Sequence, residues 1–132
     1  MGKLGFSTFG NKSVYNTADF TTSSQTMTDK VTTTLNAGTY IVVYTVVFSN
    51  LGGTANGECN TRIKYGASSY TPPVVAYLNN ASFNSATNSF TGIMTVASDN
   101  TAVSLQTSVN WPARGTYTTW ANGASVSFIR VG

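Results

Sequence analysis

The segment LNAGTYIVVYTVVFSN, residues 35–50, constrains the fold more than any other stretch of this chain. Its valines, threonines, isoleucine and aromatics favour an extended strand. A strand sends alternate side chains to opposite faces. One row is therefore Tyr40, Val42, Tyr44, Val46 and Phe48, and the other is Thr39, Ile41, Val43, Thr45 and Val47. An antiparallel sheet with one wet face shows polar residues on one row. Here the second row holds three aliphatics and two threonines, so the segment predicts a strand that needs cover on both sides.

The rest of the chain has the same grain. No apolar spacing of 3, 4 and 7 persists over a dozen residues, which excludes a long amphipathic helix. Turn signals such as NAG (36–38), NLGGTANG (50–57), YGASS (65–69), LNNAS (78–82), SDN (98–100) and ANG (121–123) punctuate it instead. Between them the expected strands are 12–17, 30–35, 39–49, 58–65, 74–78, 89–97, 101–109, 116–120 and 124–131. That number of short strands predicts an all-β antiparallel sandwich or barrel. Val103, Leu105, Thr107 and Val109 alternate with Ser104, Gln106 and Ser108, and Cys59, Ile63 and Tyr65 oppose Asn60, Arg62 and Lys64. Both strands are expected to keep one wet face. The last strand breaks that rule, because Ile129 and Val131 lie opposite Val126 and Phe128. One domain is expected over 12–132. Residues 1–11 have no strand period and are expected to form an arm in which Phe6 and Phe9 are anchors.

Composition narrows the partners. Only 8% of the 132 residues are charged, against about 25% in an ordinary soluble domain. Thr, Ser and Asn supply 50 residues, so the surface must be built from hydroxyls and amides. The net charge of +3 comes from seven scattered bases. Nucleic-acid binding requires a concentrated basic patch, and none is expected. No run of 18 apolar residues exists to span a membrane, and the opening MGKLGFSTFG lacks the apolar block of a signal peptide. The expectation is a protein made in a host cytoplasm without a signal.

Catalysis is not expected. The chain has no histidine, which removes Ser-His, Cys-His and His-ligated metal chemistry. Its four acids, Asp19, Asp29, Glu58 and Asp99, form no calcium-binding pattern and read as loop, cap and turn residues. No catalytic residue, metal site or cofactor is assigned. Cys59 is the single cysteine and reads as a small buried thiol. Late in the chain, NWPARGTYTTWANG offers Trp111, Arg114, Tyr117 and Trp120 as a candidate ligand platform, with aromatic faces for a sugar beside polar groups. The competing expectation is that the two tryptophans close one end of the core.

Three segments carry a family resemblance. LNAGTYIVVYTVVF resembles the turn and Gly-x-Tyr strand of the C1q/TNF-like jelly rolls. NSFTGIMTVASDNTAVSLQ is similar to their later strand pair, and NGASVSFIRV to their terminal strand. The resemblance implies a jelly-roll sandwich assembled as a homotrimer, with the central and last strands at the threefold contact. Ile41, Val43, Val47, Ile129 and Val131 are the interface residues it implies. Burying such side chains is worth roughly 1.5–3 kcal/mol each. The hydroxyl- and amide-rich wording looks most like a bacteriophage virion protein. That likeness implies a decoration, or cement, protein on the capsid exterior with the major capsid protein as partner. The alternative it implies is a fibre tip that binds a host-surface receptor or glycan.

Overall fold

A computed structural model describes residues 11–49, 57–78, 85–110 and 116–132, and among them every regular element is a strand. The strands are β1 (Lys12–Tyr15), β2 (Phe20–Thr22), β3 (Thr28–Leu35), β4 (Gly38–Ser49), β5 (Gly57–Tyr65) and β6 (Ser69–Tyr70). They continue with β7 (Val74–Leu78), β8 (Ser85–Val96), β9 (Thr101–Asn110), β10 (Tyr117–Thr119) and β11 (Ala124–Arg130). The first sheet runs β1-β11-β4-β8, with the short β2-β10 pair joined beside the end of β4. The second runs β3-β9-β5, with β6 and β7 along the far edge of β5. Setting aside β2, β6 and β10, the eight main strands follow the orders 1-8-3-6 and 2-7-4-5. That connectivity is a jelly roll.

The core lies between the sheets and is built from the rows that the two-residue period predicts. Tyr40, Val42, Tyr44, Val46 and Phe48 are all buried, facing Cys59 and Ile63 of β5 and Val103, Leu105 and Val109 of β9. Tyr44 stacks on Phe90 with ring centroids 5.3 Å apart, and its hydroxyl donates to the Thr61 carbonyl at 3.1 Å. The hydroxyls of Thr22 and Thr107 meet at 2.8 Å between the sheets. Asn88 points inward from β8 and donates through Nδ2 to Thr61 Oγ1 (2.9 Å) and to the carbonyls of Cys59 (3.0 Å) and Val74 (3.2 Å). These bonds hold the layers in one register, which apolar packing alone does not fix.

Gly57 explains the position of Tyr117. A Cβ there would overlap the Tyr117 hydroxyl, so the missing side chain is what admits the phenol. The hydroxyl is buried and has no hydrogen-bond partner among the described residues. Gly57→Ala is therefore expected to destabilise the fold by about 1–3 kcal/mol, the usual cost of overpacking. Tyr117→Phe removes an unsatisfied buried hydroxyl, so it is expected to be neutral or to stabilise by about 1 kcal/mol. It should also relieve much of the Gly57→Ala defect. Chemical denaturation of the two single variants and the double variant checks all three outcomes.

Three sequence expectations need correction. The 103–109 strand has no wet face, because Ser104, Gln106 and Ser108 are buried along with Val103. β9 is central in its sheet, and longer side chains from both neighbours close over it. Arg62 Nε donates to Gln106 Oε1 and Gln106 Nε2 donates to Asp29 Oδ1, each at 2.8 Å. Asp99 does not serve its own turn. Its Oδ1 accepts the Ala37 amide at 2.9 Å and so ties the β8–β9 turn to the β3–β4 turn. Finally, Tyr117 does not belong to an exposed ligand platform, because its ring is wholly buried in the core. A tyrosine two residues from a glycine in a polar loop carries no sign of direction until β10 pairs with β2 and β4 and turns its ring inward.

Candidate functional site

The outer face of the first sheet is built from the rows opposite the core. β4 contributes Thr39, Ile41, Val43, Thr45 and Val47. The register sets Ile129 on one side of Ile41 and Ile93 on the other, giving a row of three isoleucines across three strands. Val43 stands one step along β4, flanked by Ser127 and Thr91. Val131 extends the patch beyond β11, where its amide donates to the Thr39 carbonyl at 2.8 Å. Ile93 is 72% exposed, Val131 44% and Val43 38%, whereas Ile41, Val47 and Ile129 are half-buried.

Among the described residues this face is also uncharged. Its other positions include Ser13 and Tyr15 of β1, Ser49 of β4, Ser125 and Ser127 of β11, and Thr95, Thr91, Ser89, Thr87 and Ser85 of β8. Not one carries a charge. Large exposed patches of this kind mark interaction surfaces in other proteins. β8 compounds it, since among the described residues this twelve-residue strand pairs only with β4, and it holds neither a charged residue nor a proline. Soluble proteins blunt long edges with charge, proline or bulges, because an open edge recruits other chains.

The geometry thus brings together all five residues expected at an interface between copies, and adds Ile93. The signal for Ile93 was present in FTGIMTV, where two neighbouring apolar residues in a strand must face opposite ways. Of the other expected site residues, Trp120 is 46% exposed, at the turn after β10, and does not close the core. Phe6, Phe9, Trp111 and Arg114 lie outside the described residues.

With both sheets placed, the fold can be set beside known ones. It is similar to a chain in the structure of infectious bursal disease virus Gx strain. The TM-score is 0.54 with 8% identity, over 100% of this chain and 42% of that one. At that identity the likeness is one of fold, and this chain spans less than half the length of its neighbour. No family model and no curated relative matches the sequence.

The four side-chain carboxylates each hold a neighbouring group. Asp19 Oδ1 accepts the Ala121 amide at 2.8 Å, Asp29 holds Gln106, Asp99 holds Ala37, and Glu58 accepts from Asn110 Nδ2 at 2.9 Å. Asp19 and Asp29 therefore have separate partners. Among the described residues no three His, Cys, Asp or Glu side chains gather. The Cys59 thiol is fully buried, and that burial pushes its pKa up to about 12. It is consequently a neutral thiol at ordinary pH, with little of the thiolate character a nucleophile needs. Among the described residues no helix is long and apolar enough to cross a membrane.

Proposed function

We propose that this chain is a virion structural protein, a trimeric decoration protein that binds the outside of a phage capsid and bridges its units. The observation that carries the reading is the uncharged outer face of the β1-β11-β4-β8 sheet, with the Ile129–Ile41–Ile93 row at its centre. A surface of that kind is suited to lasting contact, since it can be desolvated without stripping water from any ion. The jelly-roll likeness to a chain of a virus structure supports the virion setting. The C1q/TNF-like sequence pattern supports threefold assembly, with β4 and β11 against their copies. The work of such a trimer is mechanical: it spans a junction and resists forces that would part it.

Attachment to the major capsid protein is assigned to the 1–11 arm, through Phe6 and Phe9. Deleting residues 1–11 is expected to leave a folded trimer that no longer attaches to particles. Co-sedimentation of the full and shortened chains with particles stripped of the protein checks this. Equal occupancy by the shortened chain contradicts the arm's role. Many copies spread over the shell in electron micrographs agree with decoration, whereas a few copies at a tail favour the fibre-tip alternative, in which exposed Trp120 would meet a host receptor or glycan.

A further inference from the structure

The outer face of the second sheet has a different chemistry. β5 directs Glu58, Asn60, Arg62 and Lys64 to it, and the edge strands set Tyr70 opposite Lys64, Val75 opposite Asn60 and Tyr77 opposite Glu58. Tyr77 is 73% exposed and Tyr70 42%. Arg62 is fixed from two sides. Its Nε is bound to Gln106, which Asp29 holds in turn, and its guanidinium carbon lies 3.8 Å from the centre of the Tyr70 ring. Among the described residues those contacts leave the two terminal nitrogens without a partner, and that planar fork matches a carboxylate. Among the described residues each of the four side-chain carboxylates accepts from a neutral donor, and Gln106 stands between Asp29 and Arg62.

We propose that this face binds an acidic oligosaccharide, one built with carboxylate-bearing sugars. Arg62 takes a carboxylate in two parallel hydrogen bonds, with Lys64 beside it. Tyr70 and Tyr77 offer ring faces to the C–H surfaces of sugar rings, while Glu58 and Asn110 meet hydroxyls. Six residues of β5 separate the two tyrosines, about 20 Å at ~3.4 Å per residue. That span suits several linked rings and exceeds a single one. An acidic peptide matches the charge but not the floor, because β9 lines the sheet here with Ser104, Gln106 and Ser108 and offers no apolar pocket for an anchoring side chain. The site lies on the opposite side of the sandwich from the self-association face and does not depend on it.

The test is calorimetric titration of the full chain, at low salt, with tetragalacturonate, sialyllactose and a hyaluronan tetrasaccharide. Neutral maltotetraose and tetraglutamate serve as controls. At least one carboxylated saccharide is expected to bind ten-fold or more tightly than both controls. Arg62→Gln and Tyr77→Ala are each expected to weaken it by ten-fold or more, and Lys64→Gln by about three-fold. Tyr77 and Lys64 make no contact in the core, so these two variants keep the test valid should Arg62→Gln unsettle the Gln106 ladder. Absence of binding by all three acidic saccharides, equal binding of tetraglutamate, or full binding by Tyr77→Ala and Lys64→Gln overturns the proposal.

Discussion

In the proposed trimer, Ile41→Glu is expected to convert the assembly into a folded monomer. Ile41 sits at the middle of the isoleucine row on the outer face, with Ile129 and Ile93 directly opposite it on the two neighbouring strands. A carboxylate introduced there remains hydrated in a lone subunit, because the face is open among the described residues, and the core row behind it is untouched. In the assembly the same carboxylate would be buried between copies, at a cost of several kcal/mol for each ion. Light scattering after size exclusion should show a fall to the single-chain mass of 13.9 kDa. The β-sheet circular dichroism should be unchanged. Thr87→Glu, on the same face but at the far end of β8, is expected to have a much smaller effect. Loss of the β signature in Ile41→Glu would instead mean that Ile41 belongs to the fold of the subunit.

Asn88→Ala is the second large effect, and it acts on the subunit. The Asn88 amide joins β8 of one sheet to Cys59 and Thr61 of β5 and to Val74 just inside β7 of the other. Removing it strips two buried acceptors and one part-buried acceptor, and leaves a void beside Val46, its register partner on β4. Each buried acceptor left bare costs about 1–3 kcal/mol, though relaxation lets some recover a partner. The expected loss is about 2–4 kcal/mol, read as a lower denaturation midpoint with an unchanged slope. Asn88→Asp should be at least as damaging, because it replaces the donor with a buried charge. A loss below about 1 kcal/mol for Asn88→Ala would show that the carbonyls are satisfied without the amide.

Much of this architecture is legible in the sequence because jelly-roll strands obey a strict two-residue period. The 39–48 rows, the inward Val126 and Phe128, and the outward Ile129 and Val131 all follow from it. Turn residues placed the ends of β4, β9 and β11 within a residue or two. What escaped was set by neighbours in space. β2 and β6 are two or three residues long, too short to show a period, and exist because β10 and β5 offer them backbone partners. The burial of Gln106 goes with Arg62 and Asp29 reaching it from the adjacent strands, which no alternation of residue types reveals. The direction of Tyr117 depends on the space left by Gly57, sixty positions earlier in the chain. The blank outer face was legible as residues too apolar for water, but its full extent needed the register that brings Ile93 beside Ile41.

Sedimentation equilibrium of the purified 132-residue chain at micromolar concentration is the most direct measurement of the central claim, that copies of the protein cover the outer face of the β4 sheet. The mass predicted is three times 13.9 kDa, held on dilution and in moderate salt because the contact is uncharged. A single species of 13.9 kDa, with Ile93 and Val43 still open to solvent, would contradict it.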